Sequence, residues 1–444
     1  MSIHQTIQWV EVLLAKGRFS KSDVFSNLAF QKLESILPAL PNFDHSLAFI
    51  KVRLLLAETY TQLNNSAESD KILQDLLTQS EAAGHQFGQI QSLNKLAELK
   101  LLESSPEEAL DYAIRSRQHL LQESNIPLFN VRAENQLILS KTYLRLSDSK
   151  AGYEHAKSAL KISMDKGHRE IAMSARLLLG IALVDQGSYS KAMPYLLEAR
   201  EESNWLNYRS LNARSNLYIG IVYNQVFHYP RALGSLLNAK DDSFYFFLPI
   251  DQVLLLNYLG KSFFLSGQEP EAESCFEQAV TLAKQHSFQS ALAFSYAYLG
   301  RLNTRKKDTK NALIYAKRVN NILKKIGEAD GGQINLLNLG DVHCQLEKYS
   351  EAIKLVSRGI AAAKRMKDGL SEIRGYQIMA EIFRKKKDYK SAVMYQMIYT
   401  KFYEDFYQRN ERQAVLEIEH QFTIDQLNKT IKDLKSNQHS GSSI

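Results

Sequence analysis

Residues 256–285 read LNYLGKSFFLSGQEPEAESCFEQAVTLAKQ. Gly260 follows Leu259 and is followed by Phe263; Ala272 stands twelve residues beyond the glycine, Phe276 sixteen and Ala279 nineteen. Apolar residues recur at helical spacing on both sides of the polar stretch SGQEPE, so the segment reads as two helices joined by a turn. Neither helix can bury its apolar face alone, and the unit therefore needs neighbours.

The neighbours are in the same register. Gly180, Gly220, Gly260, Gly300 and Gly340 fall 40 residues apart, and Ala192, Ala232, Ala272, Ala312 and Ala352 each follow their glycine by twelve. The frame extends to Ala380 with Ala392, Ser140 with Gly152, Ala97 with Ala109 and, most weakly, Ala57 with Ser69. Small residues at both positions let two helix axes approach closely. Short polar turns separate the helices of each unit: DQGSYS, LSGQEPE, RKKDTK, LEKYS and KKKDYK. Low counts of proline (8) and glycine (20) fit an all-α fold.

The order Leu-Gly, Tyr or Phe, Ala, apolar, Ala resembles the tetratricopeptide repeat, with Tyr143, Tyr223, Phe263 and Phe383 at its aromatic position. The usual proline near the unit's end is missing, and the period of 40 exceeds the roughly 34 residues usual for that family. Longer helices of this kind are similar to the arrays of bacterial signalling proteins and peptide-sensing regulators. The resemblance implies a right-handed α-solenoid of about nine helix pairs over residues 44–410. Residues 1–43 read as a capping helical pair ending at LPALPNFD.

Beyond Ala392 the pattern changes. Residues 411–436 read as an amphipathic helix with Ile424, Leu427, Ile431 and Leu434 on a coiled-coil seam, broadened by Ile418 and Phe422. A free helix with such a stripe needs a partner: it either folds back on the last repeat or pairs with a second chain, and pairing with a second copy or an effector is the leading expectation. The run QFTIDQL at 421–427 resembles the connector that joins tetratricopeptide sensor arrays to a diguanylate cyclase, a histidine kinase or a DNA-binding output domain. Residues 437–444 are polar and expected to be disordered.

Candidate chemistry is sparse. Cys275 and Cys344 lie in helical patterns and read as reduced packing residues, and the 11 histidines show no metal-ligand spacing. No phosphate loop, nucleophile elbow or metalloprotease motif occurs, so neither enzyme activity nor a metal or cofactor is expected. The N-terminus MSIHQTIQWVEVLLAKG carries Glu11 within its apolar part and does not read as a signal peptide; a cytoplasmic, non-membrane protein is expected.

In the resembled family the first helix of each unit lines a concave groove. Counted from the unit's small residue, the lining positions lie six and three before it and one, four and five after it. Read onto this chain, they give Arg214, Asn224, Gln225, Asn257, Lys261, Arg301, Arg305, Asp341, Gln345, Arg374, Gln377, Glu381 and Arg384. Around Gly180 the same positions are apolar (Leu177, Ile181, Val184), whereas from 214 onward they are polar and increasingly basic. Asn257, Lys261, Arg301 and Arg305 would hold the backbone and carboxylates of an extended peptide; the plainer alternative is a solvated lining that keeps the array soluble. The net charge of +7 resides in the C-terminal third, where RKKDTK (305–310) and RKKKDYK (384–390) are the basic clusters. Those clusters raise nucleic acid as a third and weaker reading, because no stacking aromatics are interleaved with them. FYFFLP at 244–249 is either a docking patch or a segment tucked between repeats. The leading expectation is a non-enzymatic, peptide- or protein-binding adaptor or sensor in signal transduction. The alternative is a regulatory module acting in cis or in trans on an output domain.

Overall fold

The computed structural model describes residues 3–20, 23–37, 47–122, 129–242, 248–326, 332–366, 368–408 and 411–441. Every regular element among them is an α-helix. Two helices, α1 (Ile3–Ser20) and α2 (Asp23–Ile36), precede the array. Pairs then follow in order: α3 (Leu47–Gln62) with α4 (Ser66–Ala82), α5 (Gln86–Leu102) with α6 (Pro106–Gln122), and α7 (Phe129–Arg145) with α8 (Ser149–Lys166). The middle pairs are α9 (Arg169–Asp185) with α10 (Tyr189–Trp205), α11 (Arg209–Gln225) with α12 (Tyr229–Asp241), and α13 (Pro249–Leu265) with α14 (Glu269–Gln285). The array ends with α15 (Gln289–Arg305) and α16 (Thr309–Ile326), α17 (Gly332–Gln345) and α18 (Tyr349–Met366), and α19 (Gly369–Lys385) and α20 (Tyr389–Gln408). A last helix, α21, spans Glu411–Gly441. The fold is an all-α solenoid of helix pairs, and the 40-residue frame is its physical repeat. Most of LPALPNFD and of FYFFLP, together with Gly331 and residues 442–444, lies outside the described residues.

The chain forms two compact units, residues 1–182 with 201–212, and 183–200 with 213–444. In the first, Leu14, Leu33, Ile50, Leu73, Leu76 and Leu93 are fully or almost fully buried in one core running from the leading pair into the array. In the second, Phe264, Phe276, Tyr298, Ala312 and Leu339 share a core, and Val356, Met379 and Ile382 form another toward its end.

The glycine register has a steric cause. A Cβ on Gly260 would lie 2.7 Å from the Phe276 ring, on Gly220 it would lie 2.5 Å from Leu236, and on Gly340 2.5 Å from Val356. Each glycine is thus a notch that takes the side chain sixteen residues later, on the second helix of its own pair. At Gly300 the residue sixteen on is Ala316, and the nearest atom is a Val342 methyl at 3.3 Å. Where the small residue is serine, its hydroxyl crosses to the facing helix: Ser140 donates to the Gly152 carbonyl at 2.8 Å, and Ser69 to the Ala57 carbonyl at 2.9 Å.

The turns repeat with equal strictness. The seventh residue after the small one is left-handed in successive units: Ser147, Gly187, Phe227, Gly267, Lys307, Glu347 and Lys387 all have positive φ. The next amide then donates back five residues, as from Asp308 to Asn303 (2.8 Å) and from Asp388 to Phe383 (3.0 Å), which closes the first helix. The same Asp308 and Asp388 cap the following helix by accepting from the amides of Asn311 and Ser391. The two basic clusters therefore contain a helix stop and a helix start. Glycine at a left-handed position is general; Phe227 and the lysines are held there by the flanking helices.

Gly260→Ala is expected to destabilise the protein, because overpacking against Phe276 costs about 1–3 kcal/mol, more than the roughly 1 kcal/mol of helix propensity gained. Gly300→Ala, whose nearest neighbour is a single Val342 methyl at 3.3 Å, should be neutral or stabilising. Chemical denaturation of the two variants beside wild type checks the contrast.

Candidate functional site

In the second unit, α15, α17 and α19 are the first helices of successive pairs, and they carry their polar residues at equivalent positions. With α20 they line a cavity of about 740 Å³. Arg301, Arg305, Gln345, Arg374, Gln377 and Arg384 line it, as do Asp341 and Glu381. The repeat offsets thus bring six residues of the expected site together.

The other four lie elsewhere. Asn224 is buried, and its amide donates to the Ser262 hydroxyl at 2.8 Å. Asn257 is buried, donating to the Ala291 carbonyl at 3.1 Å and accepting from Ser295 at 2.7 Å. Arg214 pairs with Asp251 at 2.9 Å. Each partner stands 34 to 38 residues away, in the next first helix. Asn224 and Asn257 are accordingly corrected from groove ligands to ties between repeats: a buried amide must satisfy its bonds, and the adjacent helix is within reach. Lys261 donates to Gln225 at 3.1 Å and lies 5.6 Å from the centre of the Tyr258 ring.

The floor of the cavity is aromatic and cationic. The Arg305 guanidinium stacks on Phe264 at 3.7 Å from the ring centre; that of Arg301 lies 4.8 Å from Phe264 and 5.1 Å from Tyr298. Tyr298 is edge-on to Phe264 (5.6 Å, 82°) and stacked on Phe276 (5.1 Å, 17°). The ring that fills the Gly260 notch therefore supports, through Tyr298 and Phe264, the arginines of the site.

Arg301 is held by Asp341 at 2.9 Å, and Gln345 donates to the same carboxylate at 3.3 Å. Gln345 accepts from Lys385. Arg384 grips Glu381 with two bonds of 2.8 and 2.7 Å, and Arg305 lies 3.5 Å from Glu269. Arg374 differs: its hydrogen bond goes to the neutral amide oxygen of Asn338. Burial, then the Arg301 charge, lowers the Arg374 pKa. Four arginines against two carboxylates leave the lining with a surplus of positive charge.

Several lining residues were absent from the expected site. Tyr389, Val393 and Gln396 come from α20, the second helix of the last pair, whereas Phe264 and Thr304 stand four after Gly260 and Gly300, at an offset that does give them although they were not among the expected residues. Tyr389 and Val393 are 65% and 59% exposed, an apolar wall beside the charged floor. Their membership of the groove depends on the array ending there, which offsets counted along first helices do not give.

Cys275 and Cys344 are buried free thiols; burial raises both, Cys344 to about 12, so they persist as packing thiols. Among the described residues, no group of three or more His, Cys, Asp or Glu side chains could hold a metal ion, and no helix is long and apolar enough to cross a membrane. On α21, Val415 is buried, Glu419 forms an ion pair with Arg231 of α12, and Ile424 and Leu427 are 37% and 58% exposed. Ile431 and Leu434 fall on the helix, with side chains outside the described residues.

Three solved structures share this architecture. A Rap protein complexed with competence and sporulation factor superposes with a TM-score of 0.58 at 14% identity, over 82% of this chain and 99% of that one. NprR with its cognate peptide NprX gives 0.55 at 12%, covering 82% and 100%. The Rap conjugation gene regulator of plasmid pLS20 with the Phr* peptide gives 0.52 at 14%, covering 82% and 96%. This chain has their tetratricopeptide-like fold. No family profile and no curated protein matches the sequence.

Lys261 yields a pH signature. Burial, then the Arg374 charge, pushes its ammonium down to about 7, against an opposing contribution from Asp368. Between about 7 and the usual lysine range, the unfolded chain binds this proton more tightly than the fold does, so stability rises with pH across that window. Lys261→Met should remove that rise and stabilise the protein at neutral pH, as denaturation at pH 7 and pH 9.5 would report.

Proposed function

We propose that this chain is a non-enzymatic, cytoplasmic sensor or adaptor that binds a short peptide in the cavity lined by α15, α17, α19 and α20. The observation that carries the reading is the convergence of Arg301, Arg305, Gln345, Arg374, Gln377 and Arg384 on one open cavity. A site of about 740 Å³ is within the range that takes a small ligand or peptide segment. Two solved structures of the same fold with peptides named as their ligands point the same way. Recognition would combine charge-assisted bonds from the arginines with burial of apolar side chains against Tyr389 and Val393.

The output side of the reading rests on α21. Its early turns are anchored by Val415 and by the Glu419–Arg231 pair, while Ile424 and Leu427 stay exposed, ahead of Ile431 and Leu434 on the same seam. The helix would engage a second copy of the chain or an effector, including an output domain supplied in cis or in trans. Lys307 and Lys387 shape turns, and Lys306 pairs with Glu273 at 2.6 Å, so the basic clusters have structural work that needs no nucleic acid.

Gln377 is exposed and lines the cavity. Gln377→Trp should fill the space and abolish retention of synthetic peptides on the full-length protein, with an unchanged melting temperature; gel filtration with mass spectrometry reads both bound and free peptide. Equal retention by the variant would count against the site. Separately, replacing Ile424 and Leu427 together by Asp should convert any dimer to monomer in sedimentation velocity without altering helix content.

A further inference from the structure

We propose that the ligand of this cavity presents a carboxylate to Arg374 and Arg301, with an apolar side chain beside it against Val393 and Tyr389. The inference rests on reading the cavity as a peptide site and names what that peptide must carry. Arg374 carries it. Among the described residues its guanidinium bonds the neutral amide of Asn338, and it feels the Arg301 cation more strongly than the Asp341 carboxylate. A half-buried cation with no carboxylate bonded to it gains when an anion arrives. The other arginines of the lining each have a carboxylate within reach, so Arg374 is, among the described residues, the lining arginine with no ion pair.

Geometry selects the anion and its surroundings. Arg301 is already oriented by Asp341 and by the Phe264 and Tyr298 rings, so it loses little freedom on meeting a ligand. A planar carboxylate suits a planar guanidinium fork and takes two bonds from it. The same lining includes the exposed Val393 and Tyr389, which suit a hydrophobic residue of the ligand near the charge. The carboxylate can belong to the peptide's C-terminus or to an Asp or Glu side chain; the chemistry is shared.

The test uses the full-length protein and three pools of random synthetic hexapeptides: free C-terminal acids, C-terminal amides, and free acids lacking Asp and Glu. Peptides retained through gel filtration are identified by mass spectrometry. The acid pool should be retained with an apolar residue enriched beside the carboxylate. Arg374→Gln should weaken retention by about ten- to a hundredfold, as expected for loss of a charged hydrogen bond. Retention of the third pool places the carboxylate at the C-terminus; loss of that pool, with amides containing Asp or Glu retained, places it on a side chain. Both results support the proposal. Retention that ignores acidic groups in wild type overturns it while leaving the peptide site standing, and needs no variant to fold. Retention of no peptide at all overturns both readings.

Discussion

The contact between Gly260 and the Phe276 ring sets the distance between the helices of its pair, and the consequences reach the cavity. With only a hydrogen at the notch, the ring seats against backbone and presents its other face to Tyr298 of the next pair. Tyr298 in turn abuts Phe264, on which Arg301 and Arg305 rest. Close helix packing is thereby converted into a fixed position for two cationic groups. The same notch recurs at Gly220 and Gly340 with aliphatic partners, which hold the spacing without the aromatic relay.

Architecture was legible because it depends on periodicity. Five glycines and five alanines in one frame can be read without knowing any partner, and the helix pairs fall where that frame put them. The left-handed turn residue was legible only in part: Gly187 and Gly267 announce it, while Phe227, Lys307 and Lys387 adopt the same φ under tertiary constraint. Lysines there read as charge, although their backbone conformation is what the fold uses.

The lining divided along a line that offsets do not show. Asn224, Asn257 and Arg214 point into the solenoid's polar interior, yet their partners one repeat away consume them. Whether a polar side chain reaches across or faces the groove depends on what stands about 40 residues later, and Ser262, Ser295 and Asp251 were on the page without their pairing being visible. At Arg374 the partner lies one repeat earlier and is the neutral Asn338 amide, so no carboxylate among the described residues bonds the guanidinium. Inter-repeat bonding and ligand binding thus draw on the same positions, and a ligand that changes one is coupled to the spacing of the other.

That division of labour is the central claim, and paired variants test it directly. Asn257→Ala removes two buried bonds, to the Ser295 hydroxyl and to the Ala291 carbonyl, which keep only their bond to each other, whereas Gln377→Ala removes an exposed side chain of the cavity lining. Urea denaturation and peptide retention would be measured on both. Asn257→Ala should lose about 1–3 kcal/mol of stability and keep its peptides while folded; Gln377→Ala should keep its stability and bind more weakly. The reverse pattern, with Asn257 governing affinity and Gln377 governing stability, would contradict the account.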